Sequence, residues 1–317
     1  MKEFKTIEEQ LDILKSKGMQ IDINDEEAAN ILICGNYYNI INGYKDLFLN
    51  KDEEQETFYE GTTFSEVYAL YEFDRQIRTI IFEAILRVEN LLRSLISYSF
   101  SKKYGNNNYL KIENFDNLPA NSKESNKIKQ ISHIQGLISE LHGVISKAVG
   151  KKDYITHYIM TYGFVPLWVL VNDMSLGQLS KFYSLMKQPE RIEVAKHWDD
   201  LLHNDLESYI KVLAHFRNLC AHDDRVYNSK TSVLIPNTIY HSNLNILQNE
   251  NGNYLNGKKD FFSLLITFKV LLSPKEFNTI FNKVNGRIES LSTKINSISI
   301  QKIKDSMGLP QNWKLIK

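Results

Sequence analysis

The 317-residue chain is poor in the residues that break or crosslink a fold, with 14 glycines, 6 prolines and 2 cysteines. So few turn-forming residues count against a many-turned β protein and favour long helices packed on one another. The two cysteines, Cys34 and Cys220, lie far apart and form no CxxC pair. This predicts a reducing compartment, with both thiols as small core residues.

The chain also lacks an excess of charge and a long apolar run. Its 38 basic and 38 acidic residues give a formal net charge of zero. Because non-specific nucleic-acid binding is mostly phosphate neutralisation, this balance counts against a general nucleic-acid coat protein but permits an enzyme with a local basic site. The chain opens without an apolar leader, and its most apolar stretch, 261–272, is too short to span a bilayer. We therefore expect a soluble cytoplasmic protein without membrane association.

What the chain does have is apolar residues at helical spacing. Thr63-Phe-Ser-Glu66 has the form of a capping box, and the apolar repeat behind it meets no Gly or Pro before Gly105. This predicts a long helix, either single, bent or divided, whose polar side carries Asp74, Arg75, Arg78, Arg87, Glu89 and Arg93. Further helices are predicted at 7–17, 25–33, 127–149, 167–171, 176–185, 191–198, 205–221, 261–272 and 274–298.

These patterns predict an all-α fold in two parts. Residues 1–60 form a small helical N-terminal region, and residues 61–317 form a larger helical domain. Within the domain, residues 229–260 are rich in Asn and Ser and predict a long loop excursion.

The N-terminal region contains a tyrosine-rich segment, residues 35–44. We expect a helix that packs through Tyr38, Ile41 and Tyr44. An aromatic platform for stacking RNA bases is the alternative, but no Lys or Arg is interleaved with these tyrosines.

Side chains able to carry chemistry cluster at the end of the helix predicted at 205–221. On a helical wheel, His215, Asn218 and His222 share one face, opposite an apolar stripe. Arg217 falls at the margin of that stripe. An arginine there is partly desolvated, which usually requires an anionic partner or a functional role.

Arg217 and His222 are separated by roughly 140° around an ideal helix, so they cannot face one point from mid-helix. Two arrangements bring them together. His222 can lie on a loosened last turn, or two copies of the helix can meet across a two-fold axis. We expect both to operate.

These residue types fit the attack of an RNA 2′-hydroxyl on its adjacent phosphate. Histidine titrates near neutrality, so His222 can act as general base or acid. Arg217 stays protonated and offers a planar donor fork to the non-bridging phosphate oxygens. Asn218 could position either partner or hold the 2′-hydroxyl. The expected products are a 2′,3′-cyclic phosphate and a 5′-hydroxyl, with no metal or other cofactor.

The segment Arg217-Asn-Leu-Cys-Ala-His222, followed by Arg225-Val-Tyr-Asn228, resembles the R-x4-6-H signature of HEPN ribonucleases. The form it resembles most is that of the Abi-like (AbiD/AbiF) abortive-infection family. Further similarities to the family lie in Leu11–Phe48, Phe64–Glu89, Pro166–Ser180 and Met307–Trp313. The resemblance therefore covers nearly the whole chain.

The resemblance implies a HEPN-like helical bundle, a homodimer with both Arg/His motifs at its interface, and RNA cleavage that halts growth on phage infection. It assigns Arg217 and His222 to the catalytic pair and Asn218 to the polar residue beside the arginine. Some relatives are held inactive by a small antitoxin RNA, so we expect an RNA regulator. Four further residues are expected to bind RNA or support the site: His215, Arg225, Asp74 and Arg78.

Three other interpretations of the sequence remain open. A non-catalytic HEPN module could bind RNA or a protein through the same cleft without cutting. A zinc site formed by His215, Cys220 and His222 has neither a known spacing nor an evident fourth ligand. A helix-turn-helix regulator built on residues 1–48 would carry few basic residues on its recognition helix.

Overall fold

The computed structural model describes residues 3–50, 55–118 and 121–317, so the predicted N-terminal region 1–60 is covered only in part. The α-helices of these ranges are α1 (Ile7–Ser16), α2 (Asp25–Gly35), α3 (Phe64–Tyr104), α4 (Glu124–Ala148), α5 (Asp153–Tyr162), α6 (Leu167–Leu170), α7 (Leu176–Leu185), α8 (Gln188–Ala195), α9 (His203–Ala221), α10 (Ile239–Asn243), α11 (Phe261–Leu271), α12 (Pro274–Ser292) and α13 (Ile300–Ser306). The all-α prediction is confirmed. None of the helices described is long and apolar enough to cross a membrane.

Helix α3 is a single undivided helix of 41 residues around which the others pack. Its capping box forms as predicted: the Thr63 hydroxyl accepts from the Glu66 amide at 3.2 Å, and the Glu66 carboxylate accepts from the Thr63 amide at 3.0 Å. The helix ends at Gly105, whose φ of +84° is a conformation that favours glycine. Local signals in the sequence therefore set both of its ends.

The prediction that α3 has a polar side is wrong at Asp74, Arg78 and Glu89, because all three side chains are buried. Helices α6, α7, α8, α9 and α12 all contact α3, so some of its polar positions are covered. The buried charges are paired instead of solvated. For example, the Arg93 guanidinium donates to the Glu89 carboxylate and, at 2.9 Å, to the Met174 carbonyl.

The tyrosine-rich segment forms a π-helical turn over Tyr38–Asn42 in place of the expected α-helix. Ile41 and Tyr44 are buried as predicted, but the prediction for Tyr38 is wrong because its side chain is 71% exposed. The wider π turn changes the rotation per residue, so that Ile40 takes the inward position. The exposed tyrosine is therefore free to contact another molecule.

Several short elements were not predicted from the sequence. A two-stranded antiparallel hairpin, β1 (Leu49–Asn50) and β2 (Thr57–Phe58), follows the π turn. Helices α5, α10 and α13 were also missed, and α12 ends before the predicted limit of 298. Cys34 is exposed and not a core residue, because it lies on the outer face of α2.

The predicted excursion 229–260 is mostly irregular, as expected, but its middle contains α10. His241 fixes this helix from within the core. Its Nδ1 accepts from the Thr238 amide at 3.1 Å, and its Nε2 lies 2.9 Å from the Gly257 carbonyl oxygen. Burial lowers the pKa of His241, so the neutral ring joins α10 to Gly257 near the end of the excursion.

The C-terminal segment docks onto the start of α11 through Gly308. This glycine has a φ of +74°, and a Cβ at its position would lie 2.3 Å from the Asp260 carboxylate. Asp260 caps α11 by accepting from the Ser263 amide at 3.0 Å and from the Gly257 amide at 2.9 Å. Burial raises the pKa of Asp260 to about 6.

Candidate active site at the end of helix α9

Helix α9 buries its apolar stripe against α7, α11 and α3. The stripe consists of Leu206, Tyr209, Ile210, Val212, Leu213 and Phe216. On the opposite face, Asn218 and His222 are exposed and His215 is half-buried. The helical wheel therefore predicted correctly which face of α9 carries the polar side chains.

Arg217 is half-buried at the margin of this stripe, where the wheel places it. Its Nε is buried and has no hydrogen-bond partner. Within the described residues its guanidinium forms no hydrogen bond or ion pair, whereas the buried Arg78 forms both. Since desolvating a cation costs free energy unless it is paired, an unpaired arginine in this position needs an explanation.

The regular part of α9 ends at Ala221, directly before His222. The His222 amide still donates to the Asn218 carbonyl at 3.0 Å, but its backbone has left the helical region. Asp223 then takes a φ of +59°, and the Asp224 amide donates to the Leu219 carbonyl at 2.9 Å. This six-to-one bond belongs to a Schellman-type helix end. His222 is therefore the C-cap of α9, the first position outside the regular helix.

Asp74 holds the chain that follows His222. Its carboxylate, fully buried on α3, accepts from the Tyr227 amide at 2.8 Å and the Val226 amide at 3.2 Å. It also accepts from the Tyr44 hydroxyl and from Arg78, each at 2.8 Å. Burial raises the pKa of Asp74, and these donors oppose that rise. All of its contacts donate to it, so Asp74 acts as an acceptor that anchors the loop.

Arg78, which lies four residues after Asp74 on α3, stabilises the turn that follows His222. Its guanidinium lies 2.6 Å from the Asp223 carboxylate and donates to the Asp224 carbonyl at 3.2 Å. Both groups belong to the turn directly after His222. The structure therefore places Asp74 and Arg78 beneath the site, in contact with its loop and largely out of reach of solvent.

The other two expected support residues face different segments. Arg225 is partly exposed and donates to the carbonyl of Gly43 in the tyrosine-rich segment. His215 points to the excursion, where its Nε2 lies 3.1 Å from the Ser229 hydroxyl. Burial lowers the pKa of His215, which favours its neutral form.

Sequence reasoning missed the part played by Tyr44. Its hydroxyl donates to Asp74, and its ring stacks on Tyr227 with centroids 5.9 Å apart. A tyrosine within an apolar stretch gives no signal for a partner on another helix. The sequence predicted that Tyr44 packs inward, but it did not predict the hydrogen bond to Asp74.

No group of three His, Cys, Asp or Glu side chains suited to a metal ion occurs in residues 3–50, 55–118 and 121–317. The candidate zinc ligands His215, Cys220 and His222 therefore form no such group. The Cys220 thiol lies 3.7 Å from the Arg78 carbonyl oxygen, and burial raises its pKa to about 12. A thiol with such a pKa does not ionise near neutrality.

Fold and site together define an all-α protein that presents an Arg/His segment at the end of a core helix. A family model described as Abi-like protein matches residues 30–228, which is more than half of the chain. The chain therefore belongs to the Abi-like family, which is linked to abortive infection. The matched range begins within α2 and includes the whole of α3 and α9 with the loop beyond His222. No curated protein and no solved structure matches the chain.

Proposed function

We propose that this protein is a metal-independent RNA endonuclease of an abortive-infection or toxin-like system. The observation that carries the proposal is the unpaired, half-buried guanidinium of Arg217 next to the end of α9. An RNA phosphodiester would supply the missing anionic acceptor, and the planar guanidinium matches two of its oxygens. His222, exposed at the same helix end, supplies a group that exchanges protons near neutral pH.

In the proposed reaction, the 2′-oxygen attacks the adjacent phosphorus while an imidazole of His222 removes the 2′-hydroxyl proton. The bond between phosphorus and the 5′-oxygen breaks, and an imidazolium protonates the leaving oxygen. Arg217 stabilises the negative charge that grows on the non-bridging oxygens. Asn218, exposed beside it, holds the 2′-hydroxyl. The products are a 2′,3′-cyclic phosphate and a 5′-hydroxyl.

We also propose that the site is shared by two subunits. In a two-fold homodimer, each half-site pairs Arg217 of one chain with His222 of the other, and the same imidazole accepts the 2′-hydroxyl proton and then donates a proton to the leaving oxygen. The helix end described above allows this because His222 is exposed and its loop is held from below by Asp74 and Arg78. A small antitoxin RNA that occupies the same cleft would keep the enzyme inactive.

The test is cleavage of labelled single-stranded RNA by purified protein in the presence of EDTA. We expect cleavage to survive chelation and to fall at least about 100-fold in Arg217→Ala and in His222→Ala. Matched controls are Arg87→Ala and His133→Ala, which remove an exposed arginine from α3 and an exposed histidine from α4. Product ends are identified by their resistance to phosphatase, which cannot remove a cyclic phosphate.

Two results would contradict the nuclease. Binding of many RNAs without any cleavage would favour the non-catalytic RNA-binding or protein-interaction module. Cleavage that EDTA abolishes, or that Arg217→Ala and His222→Ala leave intact, would point to another site or to a contaminating enzyme.

A further inference from the structure

A notch of about 210 Å³ opens beside the turn that follows His222. One wall is formed by the tyrosine-rich segment over 38–44, the other by residues 223–225, and Tyr71 of α3 lies between them. We call this concavity the tyrosine notch. It is smaller than the usual pocket for a drug-sized ligand and is on the scale of a single planar ring.

The floor of the tyrosine notch belongs to a row of packed aromatic rings. Tyr227 stacks on Tyr44, Tyr44 meets Tyr71 edge-on with centroids 5.5 Å apart, and Tyr71 stacks on Tyr68 at 5.9 Å. Arg225 joins the two walls through its bond to the Gly43 carbonyl. The notch is therefore built on packed aromatic rings, and a hydrogen bond from a side chain to the main chain joins its two walls.

The rim of the tyrosine notch carries groups suited to recognising a nucleobase. Tyr38 is a large aromatic side chain that is 71% exposed, which is the form of a stacking platform. Asn39 is exposed and Asn42 half-buried, and in the described chain neither side-chain amide has a hydrogen-bond partner. Single-stranded RNA is recognised in this way, by stacking an unpaired base on an aromatic ring and bonding its edge to polar side chains.

The charges of the notch disfavour a phosphate. Asp223 and Asp224 both line it, and the cation of Arg225 faces Asp46 at 4.0 Å. Asp223 is already paired with Arg78, whereas the Asp224 carboxylate has no ion-pair or hydrogen-bond partner among the described residues. A carboxylate accepts from the amino groups of bases, as it does from cytosine N4. A neutral ring that carries an N–H donor therefore fits best.

We propose that the tyrosine notch holds one unstacked base of the RNA substrate, beside the scissile phosphate, and prefers a base with an exocyclic amine over uracil. The inference rests on the proposed function, because it places the phosphate at His222. Asp223, which lines the notch, follows His222 directly in the chain, so their Cα atoms are about 3.8 Å apart. A nucleotide with its phosphate at His222 thus has the notch within reach of a neighbouring base.

The notch is tested by binding, in a His222→Ala background that prevents cleavage. The probe is a single-stranded oligouridine with one 2-aminopurine, whose fluorescence falls when the base stacks. We expect binding to quench the probe, and Tyr38→Ala to remove the quench and weaken affinity roughly fivefold or more. Tyr98→Ala is the matched control, since Tyr98 is 64% exposed near the far end of α3. Melting temperatures verify that both variants fold.

Base preference is measured with unlabelled competitors that carry A, C, G or U at the probe position. We expect U to compete least, and Asp224→Asn to reduce the difference. Equal affinity and equal quench in Tyr38→Ala and Tyr98→Ala, or no binding of the probe, would overturn the inference. Cleavage by the unmutated protein is scored separately. If the unmutated protein cleaves RNA but Tyr38→Ala does not change the quench, only the notch proposal is refuted. If Tyr38→Ala removes the quench but the unmutated protein does not cleave, only the nuclease proposal is refuted.

Discussion

Three buried carboxylates in this protein accept hydrogen bonds from neighbours whose identity differs from case to case. Asp74 accepts from two side chains and two main-chain amides, and Glu66 caps α3 and also accepts from the Ser297 amide at 2.7 Å. Asp260 accepts only from main-chain amides. Arg217 departs from this pattern because its guanidinium is half-buried without such a partner. That contrast supports the proposal that Arg217 binds a ligand.

Asp260 makes stability depend on pH. Because its pKa in the fold, about 6, lies above its ordinary value of 3.8, folding favours the protonated form. The stabilisation that protonated Asp260 contributes is complete below pH 3.8. It is lost as the pH rises through 6, which lowers the free energy of unfolding by up to about 3 kcal/mol. We expect Asp260→Asn to lack this loss, since the amide cannot ionise.

The measurement is urea unfolding of both proteins between pH 4.5 and 7.5. The wild-type profile should fall relative to that of Asp260→Asn across this range. Parallel profiles would show that Asp260 ionises in the fold as easily as in the unfolded chain.

At the scale of elements, the end of α9 depends on α3. The Schellman-type turn at His222 contains Asp223 with a positive φ, a conformation that costs free energy in a residue other than glycine. Its carboxylate is held by Arg78, and the next stretch of main chain is held by Asp74. Two residues one turn apart on a long helix therefore position the loop that presents His222.

Tyr44→Phe tests this anchoring with the loss of one hydroxyl. The substitution removes the 2.8 Å bond to Asp74 and leaves a buried carboxylate with one donor fewer. We expect the free energy of unfolding to fall by about 1–3 kcal/mol. Amide hydrogen exchange should also become faster at residues 222–227.

The matched control is Tyr98→Phe, whose ring is 64% exposed, and a change within about 0.5 kcal/mol is expected there. Loss of stability in Tyr44→Phe without faster exchange at 222–227 would mean that Tyr44 supports the core but not the loop.

At the scale of the whole molecule, we propose that two chains share the site. The chain has no net charge, so the proposed affinity for RNA depends on a local arrangement of groups and not on the overall field. A dimer doubles the Arg217 and His222 groups in one cleft without altering the charge elsewhere.

Mixing Arg217→Ala subunits with His222→Ala subunits tests whether the cleft is composite. In a mixed dimer, one intact arginine and one intact histidine lie on different chains. If each half-site pairs an arginine from one chain with a histidine from the other, random exchange should restore about a quarter of wild-type activity. The measurement is RNA cleavage after co-refolding, with each variant refolded alone as the control.

A mixture that dimerises but stays inactive would place each Arg/His pair within one subunit, or would require both half-sites to be whole. A monomer in solution at assay concentrations would reject the shared cleft directly.

The sequence by itself determined the helical class, the two ends of α3 and the polar face of α9. These features depend on periodicity and capping among residues a few positions apart, so local patterns are enough to specify them. It also marked Arg217 and His222, because their side-chain chemistry does not depend on the fold.

Only the tertiary structure decided which polar residues of α3 are buried, which way Tyr38 points and where the tyrosine notch opens. The bond from the Tyr227 amide to Asp74 joins residues 153 positions apart, and the bond from Arg225 reaches 182 positions to Gly43. Such contacts leave no periodic trace in the chain. They arise when helices and loops that are distant in sequence cover one another, and burial then turns a charge on a helix surface into an internal anchor.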